Sequence, residues 1–286
     1  MATPITGTVN YTASISGIDV NARLGNGCVD ATETYAYYPD TATRRIFRLD
    51  IASGSITALY GNTFQLAGFP IIALAFMPDG VTLIGSTDQI AGTAYFYTFL
   101  ADGSSVSPTQ VGTTTTMGLR RLRLDPSTGF LFVCHNSQLL LYTVPGTWSA
   151  LANYSAFFQR VVTDMNNSRY DSDKFLVCAT TSNTQYYICE YSKRSGLVKV
   201  LAGDGSQSAA STGSAYATPV GTASHVDSDS DGRVYYGTSP SVYSLIDGTV
   251  AQVLASGYGT GGGIIFLPIS NRLLVCNGVY EVRKVQ

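Results

Sequence analysis

A short pattern recurs along the chain: an apolar segment that ends in one small residue and is followed by a polar residue. These segments lie at residues 34–36, 83–86, 132–135, 176–179, 235–238 and 274–277. The small residues are Ala36, Gly85, Cys134, Cys178, Gly237 and Cys276, and neighbouring ones are 39 to 59 residues apart. Such spacings are typical of propeller blades. The residues before Ala36 and after Cys276 together make one more interval of similar length, which predicts that the array closes into a ring.

Each interval divides further into strands. In the second, alternating apolar and polar residues predict strands at 71–77, 81–85, 94–100 and 109–112, with Asp-Gly turns after the first and the third of them. A glycine recurs between the third and outermost strands of five intervals, as hairpin turns with positive φ require. These glycines are Gly54, Gly103, Gly146, Gly196 and Gly248. Each interval therefore predicts four antiparallel strands.

The predicted fold is an all-β, six-bladed β-propeller in a single domain, residues 1–286. The blades are expected at about 27–62, 69–113, 117–155, 158–203, 220–257 and 261–286. The last blade runs out of chain before an outermost strand. Residues 7–15, within a closing segment 1–15, are expected to supply it beside residues 279–285, which would remove the free sheet edges. A β-sandwich or an up-and-down barrel is the alternative.

One stretch resembles a known repeat family. Leu201-Ala202-Gly203-Asp204-Gly205, a small-residue loop to Pro219, and then residues 226–236 with an Asp-Gly turn before Val234-Tyr235-Tyr236 are similar to an NHL repeat. The similarity covers residues 201–238. It implies a propeller fold, and no functional residue is carried over from it.

Composition narrows the classes of partner. Charged residues make up 13% of the chain, and its net charge is −2. Nucleic-acid and anionic-membrane binding normally need a strong basic surface, so neither is expected. No apolar run approaches the roughly 18 residues of a membrane-spanning helix. A soluble protein is therefore expected. Residues 1–10 do not resemble a secretory signal, and the location of the protein is open.

The cysteines are expected to be structural. Three of the five, Cys134, Cys178 and Cys276, occupy the small-residue position, which favours buried, reduced packing thiols. Cys178 and Cys189 could face each other on adjacent strands of one blade, so a single disulfide there is the alternative.

One acidic turn has the alternating carboxylates of a calcium loop. Asp227, Asp229 and Asp231 precede Gly232, but the twelfth position is Thr238 rather than a bidentate acid. A solvated turn without any cofactor is the favoured interpretation, and a weak calcium site is the alternative.

An enzyme would need groups that converge at the axis of the ring. The only two histidines, His135 and His225, fall in different blades, and no Gly-x-Ser-x-Gly turn accompanies them. Lactonase-like propellers hold a metal at the axis, which would make Glu33, Asp88, Asn136 and Asn277 candidates by position. A metal-dependent hydrolase or lyase is therefore the alternative function.

The favoured function is a non-enzymatic binding or assembly module. The 19 tyrosines suit recognition surfaces, and loops on a rigid ring are free to vary. The long loop 203–218 is the expected contact element, with a protein or glycan as partner. The sparse charge also suits a subunit of a larger assembly, such as a virion or surface appendage. The candidate binding residues on axial or face loops are Arg120, His135, Asn136, Arg160, Tyr216, Thr238, Tyr258 and Asn277.

Overall fold

The computed structural model describes most of the chain. The described residues are 5–14, 23–42, 45–60, 70–87, 94–104, 109–114, 119–125, 131–135, 138–143, 147–153, 161–182, 185–259, 263–278 and 281–286. Within these ranges no helix is long and apolar enough to cross a membrane.

The described strands form antiparallel sheets, numbered here I to VI in chain order. Sheet I contains β2 (Cys28–Val29), β3 (Tyr35–Pro39), β4 (Ile46–Asp50) and β5 (Ile56–Tyr60). Sheet II contains β6 (Ile71–Phe76), β7 (Thr82–Thr87), β8 (Ala94–Leu100) and β9 (Thr109–Thr114). Sheet III contains β10 (Leu119–Leu124), β11 (Leu131–His135), β12 (Gln138–Thr143) and β13 (Thr147–Asn153).

The second half of the chain continues the same order. Sheet IV contains β14 (Val161–Asn167), β15 (Lys174–Ser182), β16 (Gln185–Ser192) and β17 (Val198–Ala202). Sheet V contains β18 (Gly213–Ser214), β19 (His225–Ser228), β20 (Val234–Thr238), β21 (Ser241–Ile246) and β22 (Thr249–Leu254). Sheet VI contains β23 (Ile264–Leu267), β24 (Arg272–Cys276), β25 (Glu281–Val285) and the N-terminal strand β1 (Val9–Ser14).

The first strands of the sheets pack against one another. β6 contacts β10, β10 contacts β14, β14 contacts β19, and β19 contacts β23. Buried apolar clusters lie between successive sheets, from I–II through V–VI, and another joins sheet VI to sheet I. First strands gathered in this way are incompatible with two stacked layers, so the sandwich alternative is wrong. The all-β propeller with antiparallel, four-stranded blades is confirmed.

The pairing expected for the N-terminal segment is present. Ala13 lies opposite Val282, and Ser14 lies opposite Glu281. Beyond the strand ends, the backbone N–H groups of Thr6 and Thr8 each donate to the carbonyl of Gln286 at 3.0 Å. Sheet VI therefore takes its outermost strand from the opposite end of the chain.

Sheet V differs from the prediction by one strand. The segment expected to be only a loop contains β18, which pairs with the first residues of β22. Gly213 lies opposite Val250, and Ser214 lies opposite Thr249. A two-residue strand of Gly and Ser has no apolar alternation, so its sequence gives no strand signal.

The small-residue positions are sites of close packing. A Cβ built on Gly85 would lie 2.7 Å from Ile71 Cδ1, and one built on Gly237 would enter the ring of Tyr258. Cys178 and Cys276 are fully buried, as expected for packing thiols.

The alternative of a disulfide between Cys178 and Cys189 is wrong. Cys178 pairs with Ile188, whereas Cys189 pairs with Val177. The two cysteines are thus one register position apart and lie on opposite faces of sheet IV, in different apolar clusters.

Candidate functional site

Charged side chains of neighbouring first strands meet where the sheets converge. Arg121 on β10 forms an ion pair with Asp164 on β14, and each side chain is only 1% exposed. Two residues further along both strands, Arg123 Nε donates to Asn166 Oδ1 at 3.0 Å. Side chains at alternate positions of a strand share one face, so Arg121 and Arg123 both point toward sheet IV.

The same contacts extend to two further sheets. Asp164 Oδ2 accepts the backbone N–H of Val226 at 2.8 Å, and Arg121 Nη2 donates to the carbonyl of Ile264 at 3.3 Å. The Arg121 side chain therefore reaches from sheet III to sheet VI. We call Arg121, Arg123, Asp164 and Asn166 the axial cluster.

His225 lies beside this cluster in a second buried network. Its Nδ1 is hydrogen-bonded to the hydroxyl of Tyr258, and its Nε2 lies 2.8 Å from Asn26 Oδ1. The Tyr258 hydroxyl is in turn 2.6 Å from Ser224 Oγ. Because the amide oxygen can only accept, the network assigns the proton to Nε2, and Nδ1 accepts from Tyr258.

Burial, and then the positive charges of Arg121 and Arg123, hold the pKa of His225 well below its usual value. The imidazole is therefore neutral in the folded protein. A neutral, buried ring already hydrogen-bonded at both nitrogens has no position left for a substrate.

His225 should make stability depend on pH. Its pKa is lower in the folded than in the unfolded state, so the unfolded chain binds more protons below about pH 6.5 and stability falls as the pH falls. Urea denaturation should show that the free energy of unfolding falls by about 1 kcal/mol as the pH is lowered from about 6 to about 5. His225→Gln should flatten this slope. An equal slope in both proteins would contradict the assignment, since His135 is present in both.

The structure buries two of the candidate binding residues. Tyr258 is 3% exposed and Thr238 is 6% exposed, so both serve packing rather than an open surface. Tyr258 fills the space above Gly237. Asn277 is half-buried, and its side-chain oxygen accepts the N–H of Glu281 at 3.0 Å.

The remaining candidates divide into three groups. Tyr216 is 61% exposed. Arg120 and His135 lie on the paired strands β10 and β11, where the structure describes only their backbone. Asn136 and Arg160 lie outside the described residues.

The proposed axial metal ligands do not come together where the structure describes them. Glu33 accepts the N–H groups of Ile269 and Ser270, just before β24, whereas Asn277 follows the far end of β24. Five strand residues separate these two places by roughly 16 Å. Asp88, like Asn136, lies outside the described residues.

The acidic turn uses its carboxylates within the protein. Asp227 accepts from Arg169 Nε at 3.2 Å and from the N–H of Phe266 at 2.8 Å. Asp229 accepts from Arg233 Nη1 at 3.1 Å. Across the described ranges, no group of three or more His, Cys, Asp or Glu side chains is placed to hold a metal ion.

Tyr216 borders a cleft of about 250 Å³ between sheets IV and V. The cleft is lined by Tyr170, Glu190, Lys199, Leu201, Tyr216, Gly232, Val234, Leu245, Asp247 and Gly248. The hydroxyl of Tyr170 is hydrogen-bonded to Glu190 Oε1. Burial and then this hydrogen bond raise the pKa of Tyr170, so its hydroxyl keeps its proton.

Sequence reasoning missed the axial cluster, although a signal was present. Arg121 and Arg123 occupy alternate positions of one first strand, and Asp164 and Asn166 do the same on the next. Polar residues at alternate positions of strands predicted to be innermost indicate pairing between blades.

Comparison with known proteins supports the fold alone. No family model matches the chain, so the NHL resemblance is not confirmed as a family assignment. No curated protein matches it either. Solved structures do match this chain, at low sequence identity.

The first is a structural genomics protein of unknown function from Bacteroides thetaiotaomicron, with 13% identity, a TM-score of 0.71, and coverage of 99% of this chain and 75% of that one. The second is an auxiliary nutrient binding protein from the same species. It has 11% identity and a TM-score of 0.68, and the match covers 92% of this chain and 69% of that one. The third is a streptogramin B lyase. It has 10% identity and a TM-score of 0.61, and the match covers 96% of this chain and 98% of that one.

Proposed function

We propose that this chain is a non-enzymatic binding module that contacts a protein or a glycan through the segment 203–218 and the adjoining cleft. The observation that carries the proposal is Tyr216, which holds an aromatic ring 61% exposed at the mouth of the cleft. Aromatic rings offer large contact area at a low cost in conformational entropy.

The segment around Tyr216 is held in place by hydrogen bonds. The backbone N–H of Ala215 donates to the carbonyl of Gly248 at 2.8 Å, and the N–H of Gly203 donates to the carbonyl of Ala215 at 2.9 Å. The Tyr243 hydroxyl donates to the carbonyl of Ala210 at 3.0 Å. A surface ordered in advance loses less entropy when a partner binds.

The lining of the cleft suits a partner rich in hydroxyl groups. Tyr170, Glu190, Lys199 and Asp247 supply both donors and acceptors, beside the apolar surface of Leu245. Such a mixture of few polar groups with apolar and aromatic walls is typical of ligand sites. In this proposal the module binds without a cofactor.

The hydrogen bonds and ion pairs of the axial residues favour a binding function over the enzyme alternative. His225 is neutral and hydrogen-bonded at both nitrogens, and Asp164 is paired with Arg121. Similar structures carry the names of a nutrient binding protein and of a lyase, so this fold accommodates both classes.

We also propose that sheets I to VI are six blades of one closed ring, within the single domain 1–286. The apolar cluster that joins Leu24 and Tyr38 of the first sheet region to Leu274 and Val282 of sheet VI supports closure. A rigid ring of this kind would suit a subunit of a larger structural assembly, such as a virion or surface appendage.

The binding surface can be tested with Tyr216→Ala. Glycan-array binding and pull-down by the purified protein should fall about tenfold or more, because exposed aromatic residues are frequent hot spots. Leu197→Ala is the matched control, since Leu197 is 66% exposed on a different hairpin. Retention of every bound partner by Tyr216→Ala would contradict the assignment of this surface.

A further inference from the structure

The cleft between sheets IV and V has a carboxylate in its wall that no cation neutralises. Glu190 on β16 is half-buried, and its Oε1 accepts the hydroxyl of Tyr170. Lys199 lies opposite Glu190 on β17, yet these two residues form no ion pair. Within the described ranges, Glu190 Oε2 has no hydrogen-bond partner and retains accessible surface. One oxygen of a fixed carboxylate is therefore free to accept hydrogen bonds in the cleft.

The rim of the cleft supplies further polar groups. Lys199 and Asp247 are exposed, and in the part of the chain that the structure describes neither side chain forms an ion pair or a hydrogen bond. Lysine only donates, an ionised carboxylate only accepts, and the hydroxyl of Tyr216 does both. A ligand that engages all of these groups must both donate and accept hydrogen bonds, as an uncharged hydroxyl group does.

The cleft has room for one small ring. Its volume of about 250 Å³ lies below the roughly 300–1,000 Å³ of sites for drug-sized ligands. A Cβ built on Gly248, which lines the cleft, would meet no atom within 4 Å, so the space beside this residue is open. The carbonyl of Gly248 also accepts the N–H of Ala215 at 2.8 Å, which holds the neighbouring Tyr216 at the same wall. The space suits one six-membered sugar ring beside an aromatic ring.

The composition of the lining argues against a protein as the occupant. The cores of protein interfaces are depleted in Lys, Glu and Asp. Three of the ten lining residues are of these types, namely Glu190, Lys199 and Asp247. The apolar residues Val234 and Leu245 are only 2% and 7% exposed, so they offer little contact area. Two carboxylates against one ammonium group also disfavour an anionic ligand.

We propose that the cleft binds one uncharged hexose unit of a glycan, with a sugar hydroxyl donating to Glu190 Oε2 and the C–H face of the sugar packed on the Tyr216 ring. This inference rests on the proposed binding function and names its partner. Lys199 donates to a second sugar hydroxyl. Tyr170 is a positioning residue, because its hydroxyl keeps its proton and fixes Oε1, which holds Oε2 toward the cleft.

Neutral and anionic forms of the same sugar are the discriminating probes. The neutral probes are the methyl glycosides of glucose, galactose and mannose, and the anionic probes are the matching uronic acids. In ligand-observed NMR titrations of the full chain, at least one neutral glycoside should bind with a Kd of about 1 mM, about tenfold tighter than its uronic acid. Its affinity should change less than about twofold between about 0.05 and 0.5 M NaCl, because salt does not screen an uncharged ligand.

Two outcomes would overturn the inference: binding of none of the three neutral glycosides, or binding of a uronic acid at least as tight as that of its neutral form. If these probes fail while Tyr216→Ala still loses a partner in pull-down, the partner is not a hexose and the proposed binding function stands. Acetyl-lysine amide is the probe for a cationic protein side chain, and its binding in place of the glycosides would also overturn the inference.

Variants test the role of the carboxylate. Glu190→Gln should weaken binding of the neutral glycoside by about tenfold, because a hydrogen bond to a charged acceptor is lost. Glu281→Gln, which changes a half-buried carboxylate on the third strand of sheet VI, should leave the affinity unchanged. Lys199→Met, at an exposed position, should weaken binding by about threefold even if Glu190→Gln does not fold. Unchanged binding in both Glu190→Gln and Lys199→Met would overturn the inference.

A double variant tests whether Tyr170 acts through Glu190. Tyr170→Phe alone should weaken binding of the neutral glycoside by about threefold, because the carboxylate is no longer fixed. In the Glu190→Gln background the same change should have no further effect. Equal losses in both backgrounds would show that Tyr170 has only a structural role, and would overturn its assignment as a positioning residue.

Discussion

Ala13→Asp is expected to lower the free energy of unfolding by about 3–5 kcal/mol, because it places an unpaired carboxylate in an apolar cluster. Ala13 is 4% exposed on β1 and packs with residues of sheets I and VI, Val282 and Leu274 among them. The charge would either be buried or force β1 away from β25. Urea denaturation followed by circular dichroism would measure the change.

The adjacent residue provides the control. Thr12 lies on the same strand, pairs with Arg283, and is exposed. Thr12→Asp should change stability by no more than about 0.5 kcal/mol, as surface substitutions usually do. Equal effects of the two substitutions would show that β1 contributes little packing, and would contradict its place in sheet VI.

Arg121→Met should be about as harmful, with a loss of about 3–5 kcal/mol, because it leaves Asp164 buried without its cation. Burial already raises the pKa of Asp164 against the influence of Arg121. Without the arginine, the carboxylate must take up a proton or remain charged in an apolar setting. Denaturation at neutral pH would measure the loss.

The double variant Arg121→Met with Asp164→Asn tests the cause. Asparagine keeps an oxygen that can accept the N–H of Val226 but removes the buried charge. The double variant should therefore be more stable than Arg121→Met alone. A double variant whose loss equals the sum of the two single losses would show that the residues act independently.

Much of the architecture could be predicted from local patterns. The strand at residues 94–100 has the predicted bounds, and the turn residues Gly54, Gly103, Gly196 and Gly248 all have positive φ. Both features follow from short-range rules of alternation and backbone geometry. The pairing of β1 with β25 could also be predicted, because the last interval lacked a strand and the first segment had strand composition.

The residues of the candidate sites were harder to predict, because strand register and side-chain burial are set by the packing of whole sheets. A shift of one position separates Cys178 from Cys189, and no sequence pattern shows that shift. Tyr216 and Tyr258 both follow small-residue loops, yet one is exposed and the other fills the space above Gly237. The pair Arg121 and Asp164 joins strands 43 positions apart, which only the assembled sheets bring together.

The pairing of β1 with β25 also constrains how the protein can be made in a cell. Val9 and Val285 lie opposite each other in one sheet, so sheet VI cannot be completed until residue 285 has left the ribosome. Until then the N-terminal strand exposes an unpaired edge, the feature that promotes association between nascent chains. Contacts between such distant positions also form slowly, so this chain should benefit from chaperones that shield its first strand during translation.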